Sequence, residues 1–167
     1  MNNCILIGYM GCGKSSVGKR LSYALKYPYL DTDAEIEKKE QRQIKDIFDT
    51  DGEQAFRDME TAYVKSLFEN KQNYVISVGG GLVLREENRE LLKKLGKVIY
   101  LRAKPDTIYD RLKDDTTRPL LRGDNPKQKI EDMMQQRGPI YEAACHEVVD
   151  VDDKEFEQII EEIKKFF

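Results

Sequence analysis

Residues 8–15 read Gly-Tyr-Met-Gly-Cys-Gly-Lys-Ser, a G-x-x-x-x-G-K-[ST] pattern lying directly after the apolar run 4–8 and directly before a helical pattern that begins at Lys14. Glycines at this spacing let successive backbone N–H groups turn inward around a phosphate, and a helix N-terminus adds a dipole that favours negative charge. The Lys14 ammonium would reach β- and γ-phosphates, and the Ser15 hydroxyl would ligate Mg2+. Gly11, Cys12, Gly13, Lys14, Ser15 and Ser16 therefore form the expected nucleoside-triphosphate contact. The pattern leaves open whether the chain is a kinase, a hydrolase or a switch.

Other residues bear on what would receive a phosphate. Asp31 and Asp33, in "YLDTDAEI", stand at i and i+2 at the end of a short strand pattern. They could serve a metal and an acceptor hydroxyl separately, or one of them could simply cap a helix. Arg57 lies one helical turn before Glu60, a spacing that suits either a surface ion pair or a ligand contact. Arg137, in "QQRGPIYE", is either solvated at a helix end or a partner for a carboxylate, which a guanidinium fork grips at two points. Gly79, Gly80 and Gly81 follow the apolar run "VISV". Three glycines there weaken a strand end, so something is expected to approach bare backbone. They lack the G-x-G-x-x-G spacing of a dinucleotide site.

These residues need a scaffold. Apolar runs at 4–8, 27–31, 74–78, 97–101 and 147–151 have the composition of buried parallel strands. Helical patterns at 14–26, 53–69, 86–95 and 127–144 lie between them, which predicts an α/β fold with a parallel sheet covered on both faces. Two segments break the alternation: the charged helical stretch 34–51, and the polar "DDTTRPLLRGDNPKQ" at 114–128, a lid or a plain connection. Near the C-terminus, Phe156, Ile159, Ile160, Ile163 and Phe167 share a helical face that should pack on the sheet.

Composition limits the alternatives. In 167 residues of net charge −3, 35% are charged and 40% hydrophobic, which suits a single domain over 1–167 and gives little attraction for nucleic acid. No apolar run reaches the length of a membrane span, and the N-terminus lacks the basic flank of a signal peptide. Cys4, Cys12 and Cys145 have no CxxC spacing, so a reduced, cytoplasmic protein is expected. His146, the only histidine, has no companion ligands and is expected to be an ordinary loop or strand-edge residue.

Taken in order, "GYMGCGKSSVG" (8–18), "LDTD" (30–33), "GEQAFRDME" (52–60), "VGGG" (78–81), "RPLL" (118–121) and "RGPIYE" (137–142) resemble the shikimate kinase family over nearly the whole chain. The resemblance implies a P-loop NTPase fold of three layers: a five-stranded parallel sheet in order 2-3-1-4-5 flanked by helices, with a mobile lid at about 112–127. It implies a substrate-binding segment at about 32–60 and transfer of the ATP γ-phosphate to the 3-hydroxyl of shikimate, in aromatic amino acid biosynthesis. Asp33 would bind the acceptor hydroxyls and assist proton removal. Arg57 and Arg137 would hold the carboxylate, and Gly79 to Gly81 would present backbone where a Cβ would intrude on the transferring group. Ser15 would bind Mg2+ directly and Asp31 through water. Arg118 would close over the phosphates, Arg111 would flank adenine, and a monomer is expected.

The chain departs from the family after its last strand, where "VVDVDDKE" puts the adenine contacts near 150–153 in question. Two rival readings remain at this point. One keeps the fold and changes the acceptor to gluconate or a related sugar acid. The other is a P-loop regulator without turnover, which the paired arginines and "RPLL" disfavour.

Overall fold

The computed structural model describes residues 2–113 and 123–167. Five strands form one sheet in the order β2-β3-β1-β4-β5, and every recorded pairing is parallel. They are β1 (Asn3–Ile7), β2 (Tyr29–Asp31), β3 (Val75–Ser77), β4 (Gly96–Arg102) and β5 (Glu147–Asp150). Every residue of β1 is buried, as expected of a strand with helices on both sides and a neighbour at each edge. At its start Asn3 bridges the edges: its amide oxygen accepts from the Tyr74 N–H at 2.7 Å, and its NH2 donates to the Leu95 carbonyl at 2.9 Å.

The expected helices are present as α1 (Lys14–Leu25), α4 (Glu53–Ser66), α5 (Glu86–Leu95), α7 (Pro126–Ala144) and α8 (Phe156–Lys164). The stretch 34–51 is not one helix. It divides into α2 (Thr32–Glu40) and α3 (Ile44–Asp51). Gln41 adopts a left-handed φ of 56°, ending α2, and the Glu37 carboxylate accepts the Ile44 N–H at 3.0 Å. This break folds α3 back so that Ile36, Ile47 and Phe56 form a small core of their own, separate from the main one beneath the sheet. The polar run 40–43 supplies no apolar side chain that could carry the amphipathic pattern across.

A helix that periodicity left unassigned, α6 (Pro105–Leu112), precedes the segment expected to be a lid. Its signals are Pro105 in the first turn and the buried pair Ile108 and Leu112. Most of the lid, and Arg118 with it, lies outside the described residues. On α8, Ile159, Ile160 and Ile163 are buried in the main core as expected. Among the described residues no helix is long and apolar enough to cross a membrane.

The register aligns the strand ends that carry the chemistry. Ser77 lies beside both Leu6 and Asp31, so the Gly-rich loop after β1, the aspartates after β2 and the glycines after β3 emerge at one edge. Carboxyl ends of parallel strands are where open α/β sheets bind ligands.

Candidate active site

The loop after β1 is shaped for an anion. Gly11 and Gly13 have φ of 81° and 98°, a left-handed region costly for other residues, and Gly13 caps α1. The first turn of α1 contains no acidic residue that would occupy its N–H groups and dipole from within the helix. Lys14 folds across the loop, its Nζ donating to the carbonyls of Gly8 at 2.6 Å and Tyr9 at 3.2 Å. Arg111 Nη1 donates to the Gly11 carbonyl at 3.1 Å. Ser15 and Ser16 are exposed at the mouth.

Across from the loop stand the residues expected on the acceptor side. Asp31 does cap α2, accepting the Ala34 N–H at 3.2 Å, yet it still lines the cavity. Asp33, in the first turn of α2, has its pKa pushed up to about 6 by burial and by the Asp31 charge, against the opposing pull of Lys14. Arg57 pairs with Glu60 at 2.6 Å and with Glu53 at 3.4 Å. The first pair is no surface ornament: Glu60 is fully buried, its second carboxylate oxygen has no protein partner, and burial lifts its pKa to about 7 despite Arg57.

None of Gly79, Gly80 and Gly81 has a positive φ, so space rather than backbone conformation explains them. A Cβ at Gly79 would come within 2.6 Å of Asp33 Oδ1, and one at Gly81 would collide with the Arg57 guanidinium. At Gly80 the nearest atom would be Arg137 Nη1, 3.6 Å away, an ordinary contact. Two of the three positions are thus kept bare by the protein's own acceptor-side side chains.

One cavity of about 500 Å³ unites both halves. Gly11, Gly13, Lys14, Ser15 and Ser16 line it from the loop; Asp31, Asp33, Arg57, Gly79, Gly80, Gly81 and Arg137 line it from the other side. Two expected residues stand apart. Cys12 is buried, with its N–H donated to the Tyr9 carbonyl at 3.2 Å, so it supports the loop from within. Arg111 bonds to the loop carbonyl of Gly11 and does not line this cavity. Two carboxylates of the divergent segment are occupied structurally. Asp150 grips Arg102 at 2.6 and 3.0 Å, and Asp152 accepts from the Lys104 N–H and the Thr107 hydroxyl at the start of α6. Asp152 thereby supplies the cap that Lys104 cannot.

A shikimate kinase family model matches residues 10–167. The chain belongs to the shikimate kinase family. A shikimate kinase of Thermodesulfovibrio yellowstonii is 43% identical over 165 residues, spanning 99% of this chain and 94% of that protein. A shikimate kinase from Acinetobacter baumannii, solved in complex with shikimate, superposes with a TM-score of 0.90 at 35% identity, covering 99% of this chain and 92% of the other. A gluconokinase from Sinorhizobium meliloti is alike in fold alone, with a TM-score of 0.58 at 18% identity over 97% of this chain and 89% of its own. Within the family frame, the sequence reading missed Glu60 and Ser77 as buried cavity residues, and Thr32 and Tyr141 as buried hydroxyls bonded to the glycine strip. Ser77 lines the cavity and donates to the Lys14 carbonyl at 3.1 Å.

Proposed function

We infer that this chain phosphorylates shikimate with ATP, making shikimate 3-phosphate and ADP in aromatic amino acid biosynthesis. The observation that carries the reading is the joining, in one cavity, of a phosphate loop with Asp33, Arg57 and Arg137. A small hydroxy acid needs a carboxylate to meet its reacting hydroxyl and cations to meet its carboxylate, and these residues supply both.

In this reading the loop and Lys14 hold the β- and γ-phosphates, with Lys14 exchanging its carbonyl partners for phosphate oxygens. Asp33 accepts hydrogen bonds from the acceptor hydroxyls and takes the proton from the 3-hydroxyl. A carboxylate raised to about 6 is a better base than an ordinary one and is still ionised at pH 7. Arg57 and Arg137 hold the substrate carboxylate, and the glycine strip forms the floor between phosphate and acceptor. Phosphoryl transfer depends chiefly on alignment and charge neutralisation, and Arg118 would add positive charge over the phosphates.

Ser15 and Asp31 would hold Mg2+, Asp31 through water. A hydroxyl and a carboxylate lining the same cavity suit this hard cation, which takes few protein ligands and keeps waters and phosphates for the rest. When bound, it neutralises charge on the β- and γ-oxygens. We place the chain in the cytoplasm as a monomer and Arg111 beside adenine.

A coupled ADP-release assay with shikimate, gluconate and no acceptor tests the reading, with phosphorus NMR of the product to locate the ester. Shikimate-dependent release is expected. Preference for gluconate, or release unaffected by either acid, would overturn it.

A further inference from the structure

Tyr141 is 1% exposed on α7, one turn beyond Arg137. Its ring packs on Tyr100 of β4, with centroids 5.2 Å apart and planes at 36°. Core packing would be served equally by phenylalanine, so the hydroxyl needs another explanation. A buried phenol must find partners. The Tyr141 hydroxyl donates to the carbonyl of Gly80 at 2.8 Å, and the nearby Arg137 guanidinium acts on the phenol through its positive charge. The space above the Gly80 Cα is flanked by these same two groups: a Cβ there would stand 3.6 Å from Arg137 Nη1 and 3.7 Å from Tyr141 Oη.

The opposite side of the floor is pinned similarly. The Gly79 N–H donates to the Thr32 hydroxyl at 3.0 Å, and Thr32 is fully buried between Asp31 and Asp33. Each end of the Gly79–Gly80 unit is therefore held by a buried hydroxyl. Thr32 stands between the two aspartates in the chain, and Tyr141 flanks the space above Gly80 together with Arg137. Among the described residues no carboxylate is recorded in an ion pair with Arg137. Steadying a guanidinium with a neutral phenol leaves its charge uncompensated, whereas a carboxylate in that place would compete with an anionic substrate.

We propose that Tyr141 is a positioning residue, which fixes Arg137 relative to the glycine floor and so sets where the substrate carboxylate sits against the reacting hydroxyl. The proposal rests on the shikimate reading above and deepens it. Tyr141 touches neither substrate in this scheme; it acts through Arg137 and Gly80.

Tyr141→Phe keeps the ring and deletes the hydroxyl. Its KM for shikimate should rise about tenfold, the scale of losing a hydrogen bond to a charged group. The KM for ATP should stay within about twofold, and the thermal midpoint should shift by only a few degrees. In an Arg137→Ala background the same change should add almost nothing, because the residue it acts through is gone. An unchanged shikimate KM, an equal rise for ATP, additive effects in the double variant, or failure of Tyr141→Phe to fold would each overturn the proposal. Wild-type turnover with shikimate, measured first in the same assay, tests the functional reading separately.

Discussion

The two halves of the cavity are built in different ways. The phosphate half comes from one continuous stretch, 8–16, mounted on a strand whose every residue is buried in the main core. The acceptor half is assembled from α2, α4, the strip after β3 and α7, with α2, α3 and α4 sharing a small core of Ile36, Ile47 and Phe56 apart from the main one. In the proposed reading one half works through backbone N–H groups and a single ammonium, and the other through side chains steadied by ion pairs and buried hydroxyls. A site for an invariant group such as phosphate can be made from main chain. Recognition of a particular hydroxy acid requires side chains placed from several directions.

The comparison is tested hardest at Lys14. Lys14→Ala should lower kcat by about three orders of magnitude, the upper range for removing one stabiliser of developing charge. Shikimate binding, followed by calorimetry without nucleotide, should scarcely change. A large loss of shikimate affinity would mean that the halves are not separable.

Asp33 should divide activity from stability. Asp33→Asn should lower kcat by about two orders of magnitude, the scale of an acid–base group. Its folded pKa of about 6 stands above the ordinary 3.8, so the folded chain holds more of this proton than the unfolded chain between those values. Stability from this group is then complete below pH of about 4 and falls as the pH rises through 6. At pH 7 the buried charge opposes folding, and Asp33→Asn should raise the thermal midpoint. By pH 4 the difference should vanish. Midpoints taken at both pH values check the sign; a variant less stable at pH 7 would show that Asp33 is held by contacts rather than by function.

A smaller effect is expected at Arg137. Arg137→Ala should raise the KM for shikimate about tenfold or more while moving the KM for ATP little, since the lost interaction is a charge-assisted hydrogen bond to one substrate only. Parallel changes in both constants would place Arg137 in the shared scaffold.

The same division governs what could be read in the chain before its structure. The loop at 8–15 is contiguous, its residue types follow from its chemistry, and it lies where they indicated. All five strands were visible as apolar runs, β2 within the run 27–31, and the sheet order came from family resemblance. The break at Gln41 and the helix α6 were not visible. One depends on a single left-handed residue, and the other borrows its cap from Asp152, 48 positions after Lys104. Thr32 and Tyr141 escaped notice for a related reason. Their partners are backbone atoms 47 and 61 positions away, and no local spacing records such a bond. Glu60 was visible as a neighbour of Arg57 but not as a buried carboxylate, because burial there depends on how α4 meets the cavity.

The glycine strip sharpens the comparison at its finest grain, because its three positions answer to different causes. Gly79 and Gly81 are hemmed by Asp33 and Arg57, so alanine at either would displace an acceptor-side side chain before any ligand arrives. Gly80 has no such neighbour, and a methyl group there fits beside Arg137 and Tyr141. Gly80→Ala should therefore leave the thermal midpoint within about two degrees, the range of a surface-like substitution. Any loss in turnover must then come from the methyl group meeting the substrates themselves, and a severalfold fall in kcat/KM for shikimate is expected. Full activity would mean that the transferring group does not pass close above Gly80. The floor would then consist of the two glycines that the protein's own side chains already require.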